Sequence, residues 1–231
     1  MQVSIIVSLY RTEKHLQHFL SDAYKLIDEL EKHDISHELI LVSNDASTKE
    51  ASVLKSLKAP FKVIFVEREP IYASWNRGIR MASGDFVTFW GVDDTRFPSG
   101  IIDGLMKVNE TGTDIAYLPF RYHRFVRLFG LSILAKIKTF TPPIFEMSKF
   151  TTEMHIGPHF IVKRSLFDKI GFFDESFKIA GDFEFQVRAA RGNVKFARVL
   201  STSGIFRNDG TTLSGSRALL HKEENARAIG R

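Results

Sequence analysis

Asp93 and Asp94 follow directly on the apolar run Phe86-Val-Thr-Phe-Trp-Gly-Val. Two adjacent carboxylates repel each other, so a site that keeps both ionised needs a compensating charge. A divalent cation with a preference for hard oxygen ligands, Mg²⁺ or Mn²⁺, supplies it and commonly brings a substrate diphosphate along. A solvated turn accounts for the pair equally well, because Asp is a frequent turn residue. Two other apolar runs also end in polar side chains: the first at Ser8-Leu9-Tyr10, the second at Asn44-Asp45. Further along, Asp182 follows Gly181 at the start of an expected helix. A carboxylate there can cap backbone amides or act as a reacting group, and local sequence alone favours the cap.

These residues need a frame that brings strand ends to one edge. Val3 to Leu9 is a continuous β-branched run of the kind buried on both faces of a parallel sheet. Leu16, Phe19, Leu20, Ala23, Leu26, Ile27 and Leu30 recur at helical spacing, which predicts an amphipathic helix over about 12–32 with Thr12 as its N-cap. Strands are expected at 38–43, 61–66, 85–90 and 114–119. Helices are expected after Thr48, over 71–82 and from Phe97-Pro98 to about 109. This alternation predicts an α/β fold with a mostly parallel central sheet flanked by helices. In such sheets the carboxyl ends of the strands form the ligand edge, so Ser8, Tyr10, Asp45, Asp93 and Asp94 are expected to converge there.

Composition narrows the chemistry. The chain has 231 residues, enough for one sizeable core, and no cysteine, so thiolate metal sites and disulfides are excluded. It has no apolar run long enough to span a bilayer, and Met1 to Val7 reads as a strand, not a leader. A cytoplasmic location is expected. The formal net charge of +5 favours polyanionic neighbours. A dinucleotide dehydrogenase would need a Gly-x-Gly-x-x-Gly turn after the first strand, but Tyr10-Arg-Thr-Glu-Lys-His stands there. A Walker A loop is also missing.

The chain resembles glycosyltransferase family 2, the inverting enzymes of the GT-A fold that use nucleotide-diphosphate sugars. The residues carrying this are Ser4-Ile-Ile-Val-Ser8-Leu-Tyr10-Arg, Asn44-Asp45-Ala-Ser-Thr48, Ala73-Ser-Trp-Asn76-Arg-Gly78, Gly84-Asp85-Phe-Val and Val92-Asp93-Asp94. They continue downstream with Phe167-Asp-Lys-Ile-Gly171-Phe-Phe-Asp174-Glu175, Ala180-Gly181-Asp182-Phe183-Glu184 and Arg207-Asn208-Asp209-Gly210. The resemblance implies roles. Asp182 is the base that deprotonates the acceptor hydroxyl. Ser8, Tyr10, Asp45, Asn76 and Asp93 bind the nucleotide sugar, with Asp45 on the nucleobase and Tyr10 stacked against it. Asp94, Asp93 and Asp209 hold Mn²⁺ or Mg²⁺. It also implies a saccharide or lipid-linked acceptor, in the setting of bacterial surface polysaccharide or glycolipid synthesis. Three positions depart from the family pattern: Gly91 replaces the first Asp of the acidic motif, Gly181 replaces the Glu before the base, and Asp209 stands where a His is usual.

On this reading 1–231 is one GT-A domain: a donor-binding half at 1–119, an acceptor and catalytic half at 120–215, and a basic tail at 216–231. Residues 121–150 mix Arg and Lys with Phe, Leu and Ile. They suit either the interface of an anionic membrane, which would make the protein peripheral at its inner face, or a helix packed on the core with a solvated basic side. Two other functions compete. One is a catalytically inactive GT-A domain serving as an interaction module. The other is a basic nucleic-acid-binding protein, disfavoured because acidic strand ends would repel phosphates, so no nucleic acid is expected as partner.

Overall fold

A computed structural model describes residues 1–128, 131–208 and 217–230. Its main sheet has seven strands: β1 (Gln2–Tyr10), β2 (Ser36–Asn44), β3 (Phe61–Val66), β4 (Phe86–Gly91), β6 (Ile115–Tyr117), β9 (Ile161–Lys163) and β10 (Phe196–Arg198). Their order is β10-β6-β9-β4-β1-β2-β3. All neighbours are parallel except β9, which runs antiparallel to both β4 and β6. The chain winds outward from β1 to β3, then returns to lay β4 on the other side of β1. The carboxyl ends of β1 and β4 therefore flank a topological switch point, the place where open α/β sheets bind ligands.

Side chains alternate across the strands, so each face of the sheet acquires its own core. Val3, Ile5, Val7 and Leu9 pack with α1 (Leu16–Lys32) and α4 (Pro98–Thr111). Ile6, Val42, Val87 and Phe89 face α3 (Ile71–Met81) and α7 (Gly181–Arg191). Pro98 opens α4 and Gly112, at φ 65, closes it in the left-handed region that glycine enters without strain. Short helices α2 (Thr48–Ser56), α5 (Met147–Phe150) and α6 (Leu166–Ile170) fill the connections, and α8 (Ala218–Ile229) follows the last strand. The mostly parallel sheet flanked by helices matches the expectation.

Two expectations give way. Helix α1 begins at Leu16, and Thr12 is no N-cap: its hydroxyl donates to the buried carboxylate of Glu50. A tertiary partner has taken the side chain that the local pattern assigned to capping. Residues 121–150 are not a core-packed helix. Phe120–Leu128 forms β7 and Leu131–Phe140 forms β8, an antiparallel pair with a register shift at Arg124/Phe125. They belong to a second sheet ordered β5-β11-β7-β8, where β5 is Thr95–Arg96 and β11 is Gly204–Asn208. β-branched and aromatic residues favour the extended state when no helical face is there to be buried. The last segment, the basic tail of the sequence, is helical and tied to the body: Glu224 and Ala228 are buried, and Arg191 donates to the carbonyl of Ile229.

Candidate active site

Register brings the polar strand ends together. Tyr10 lies beside Asn44, Asn44 beside Val66, and Ser8 beside Gly91. Asp45 is exposed and left-handed at φ 47, a conformation Asp tolerates in turns. Its Oδ1 accepts the backbone N–H of Arg68 at 3.1 Å. The Arg68 guanidinium lies 4.8 Å from the Tyr10 ring centroid and that of Arg11 lies 5.1 Å from it. One corner of the edge thus combines a flat ring, two guanidinium groups and a carboxylate. It can take a heteroaromatic base and the phosphates attached to it. No spacing in the sequence marks Arg11 or Arg68.

The acidic pair sits on a tight turn after β4, closed by a hydrogen bond from the Asp94 N–H to the Gly91 carbonyl at 2.9 Å. The Trp90 indole N–H donates to the Asp94 carbonyl at 3.0 Å. Asp94 is buried, and its Oδ1 accepts the Arg207 N–H at 2.9 Å. Its Oδ2 lies 3.5 Å from Nε2 of the buried His159. Burial, and then the charge of Asp93, push Asp94 well above the ordinary carboxylate range, against the pull of the Arg207 amide and the Arg96 guanidinium. Burial and Arg96 hold His159 well below the ordinary imidazole range, so it is neutral. Burial also lowers Arg96, to about 9, although Asp94 favours its charge. Neither His159 nor Arg96 stands out in the sequence. A distant segment and a two-residue strand carry them to the acidic turn.

Gly91, the first departure from the family pattern, has a geometric reason. A Cβ there would lie 2.9 Å from Asp94 Oδ2 and 3.3 Å from Asp93 Oδ1. The two carboxylates converge over the space the glycine leaves. Among the described residues Nε2 of His159 has no hydrogen-bond partner. Carboxylate oxygens with a neutral imidazole nitrogen are the donors that Mg²⁺ and Mn²⁺ accept, so the residue types fit a divalent cation. Among the described residues no three side chains of metal-ligating type form a ready cage. Asp209 lies outside the described residues.

Asp182 is in the first turn of α7 and partly exposed. Its Oδ1 accepts the N–H of Phe183 at 2.9 Å and lies 3.1 Å from the Tyr72 hydroxyl, which also donates to the Ile179 carbonyl at 2.7 Å. Burial raises Asp182 above its usual range, against these hydrogen bonds. Tyr72 belongs to the first turn of α3, directly after the β3 end, so Asp182 is held at the edge that carries the acidic pair. Gly181 is also explained. A Cβ there would meet the Tyr72 ring at 2.7 Å, so the ring leaves no room for a side chain at this position. The sequence offered no sign of Tyr72, which reads as one more apolar position of α3.

Asn76 requires a correction. It is 1% exposed and its amide is fully engaged, donating to the Phe173 carbonyl and to Glu175 Oε1, both at 2.9 Å, and accepting the Phe173 N–H at 3.0 Å. A side chain so occupied clamps the Phe173–Glu175 turn onto α3 and does not present itself to a sugar nucleotide. Ser8 is part-exposed at the switch point.

A mostly parallel sheet flanked by helices, with an acidic turn at its switch point, is the architecture of the GT-A class of glycosyltransferases. The fold is that of S. aureus TarS. A crystal structure of its residues 1–349 in complex with UDP-GlcNAc superposes with a TM-score of 0.73 at 18% identity, covering 99% of this chain and 65% of that one. A second TarS 1–349 structure gives 0.69, with 64% of its length covered, so the chain spans just under two thirds of these relatives. The family model for glycosyl transferase family 2 matches residues 4–171, and the chain belongs to that family. The uncharacterized glycosyltransferase YwdF of Bacillus subtilis (strain 168) is 27% identical over 213 residues, 89% of this chain and 74% of that protein.

Proposed function

We propose that this glycosyltransferase is inverting and moves a sugar from a nucleotide-diphosphate donor to an acceptor hydroxyl, with Asp182 as the base. The observation that supports this most is Asp182 itself: a partly exposed carboxylate, raised by burial and braced by Tyr72 and the Phe183 amide. A base poised above the ordinary carboxylate range abstracts protons more effectively near neutral pH. Asp182 takes the acceptor proton as the hydroxyl oxygen attacks the anomeric carbon. The bond to the phosphate oxygen breaks, and the nucleoside diphosphate leaves with its electron pair. A single displacement of this kind inverts the anomeric centre.

Tyr10, Asp45 and Arg68 receive the base and ribose end, with Ser8 close by at the switch point. Asp93 and Asp94, joined by Asp209, would hold Mn²⁺ or Mg²⁺. A cation there neutralises charge on the departing diphosphate. TarS is crystallised with UDP-GlcNAc and with UDP, which makes uridine diphosphate sugars the first donors to test. The acceptor we propose is a saccharide or lipid-linked molecule, in surface polysaccharide or glycolipid synthesis.

The test is binding and hydrolysis of a nucleotide-sugar panel, with and without Mn²⁺, on wild type and on Asp182→Asn. Wild type binds one donor and turns it over with metal. Asp182→Asn binds it equally well and loses roughly 10²–10⁴ in turnover, the span that general-base catalysis contributes. If no donor binds, the domain is an inactive interaction module. If binding and turnover fall together, Asp182 is a structural residue.

A further inference from the structure

The β7–β8 hairpin carries a charge distribution that the transferase reading leaves unexplained. From Ile115 to Phe145 there are five Lys and Arg and no Asp or Glu. The remaining 200 residues hold 27 acids and 27 bases, so this one stretch accounts for the whole formal excess of +5. Leu131 to Thr139 are all exposed, including Leu131 at 68% and Ile137 at 58%. Val126, Ile133 and Leu134 are also exposed large apolar side chains.

The order along the hairpin matters more than the composition. Arg124 lies opposite Lys136, Tyr122 opposite Lys138 and Arg121 opposite Thr139, which makes a basic collar. Beyond it, Phe125 lies opposite Leu134 and Val126 opposite Ile133, and the strands stay in register to Leu128 and Leu131. Arg127 is the one charged residue past the collar. At about 3.4 Å per residue the stretch from Phe125 to Leu128 spans roughly 10 Å. That matches the depth of about 5–10 Å at which interfacial elements sit in a bilayer, with cations at the phosphates above them.

We propose that this hairpin docks the protein on an anionic lipid bilayer, its apolar end entering the headgroup boundary and its collar pairing with lipid phosphates. A soluble polyanion would use the collar but gives no reason for exposed Leu131, Ile133 and Leu134. A second copy paired antiparallel along the outer edge of β8 about Ile137 would set Lys136 against Lys138 across the strands, where like charges repel. The inference does not depend on the donor or on Asp182.

Co-sedimentation with vesicles of phosphatidylcholine, with or without phosphatidylglycerol, tests it on the full chain. Wild type sediments with phosphatidylglycerol vesicles, much less with phosphatidylcholine alone, and less as salt rises. Lys136→Glu with Lys138→Glu weakens binding by about thirtyfold or more, given roughly fivefold per basic residue near an anionic surface. Ile133→Ser with Leu134→Ser also weakens it. Both variants keep the wild-type circular dichroism and donor hydrolysis, which separates failure here from failure of the active-site reading. The proposal is overturned by equal binding to both vesicle types, by no binding, or by undiminished binding of either variant. It is equally overturned if soluble polyphosphate binds as tightly as vesicles and the serine variant binds it normally, since the site would then serve a polyanion.

Discussion

Asp182 shares its Oδ1 with a phenol that has a single proton to offer. The Ile179 carbonyl is the nearer acceptor of that proton, at 2.7 Å against 3.1 Å for Asp182. To the extent that Tyr72 donates to Asp182, it stabilises the carboxylate and partly opposes the upward push of burial. Tyr72→Phe removes that donor, so the acid limb of the kcat profile moves to higher pH. An unmoved limb would mean that the proton belongs to Ile179 alone. The same burial has a consequence for stability. A carboxyl raised on folding stabilises the native state below its unfolded pKa, and that contribution is lost as pH rises through the folded pKa. Ionised Asp182 therefore weighs against the fold at neutral pH. Asp182→Asn should melt no lower than wild type at pH 7, with its relative advantage shrinking as pH falls. A variant that melts well below wild type at pH 7 would contradict a raised Asp182.

Helix α7 begins without a side-chain cap of its own, because Ala180 stands at its N-cap. Glu224 of α8 instead holds the three residues that lead into it. Its buried carboxylate takes the N–H groups of Lys178 at 2.8 Å and of Ile179 and Ala180 at 2.9 Å each. A negative charge at a helix start is favourable on electrostatic grounds as well. One side chain on a late helix thus fixes the backbone that aims Asp182. Glu224→Gln removes the charge and leaves one oxygen for three donors. Urea denaturation should register a loss of about 1–3 kcal/mol, the cost of unsatisfied buried groups. Steady-state kinetics should show kcat falling more than KM changes. Wild-type stability in this variant would reduce α8 to a passive cover.

At the scale of the whole chain, the first and second halves of the sequence share one interior. β9, from the second half of the sequence, is inserted between β4 and β6. Trp75 stacks on Phe89 at 4.4 Å between ring centroids and meets Phe173 edge-on at 5.3 Å, while Phe173 reaches Phe185 of α7 at 5.0 Å. Asn76 clamps the same turn by backbone bonds. Elements so interlocked should unfold together. Both tryptophans lie in the first half, so their fluorescence reports on the sheet around β4, whereas far-UV circular dichroism reports on every helix. The two urea transitions should coincide. Separated midpoints would show that the halves fold as independent units.

Much of this architecture was legible from local pattern. A β-branched run that ends in Asp93-Asp94, a heptad-like stripe in α1 and the alternation of the two periods depend on neighbours within a few residues. Those are the interactions a linear chain displays. The sheet, its carboxyl edge and the place of Ser8, Tyr10, Asp45 and the acidic pair on that edge follow from them. Other features were decided only by tertiary structure. Thr12 lost its cap to Glu50, Asn76 was consumed by a turn about a hundred residues away, and the basic segment became an exposed hairpin instead of a packed helix. The glycines at 91 and 181 looked like losses until the converging carboxylates and the Tyr72 ring were seen in the space they leave. The pairing of Tyr72 with Asp182 spans 110 positions. No local periodicity encodes such a contact: it exists because two helices, each shaped by its own short-range pattern, pack against the same face of one sheet.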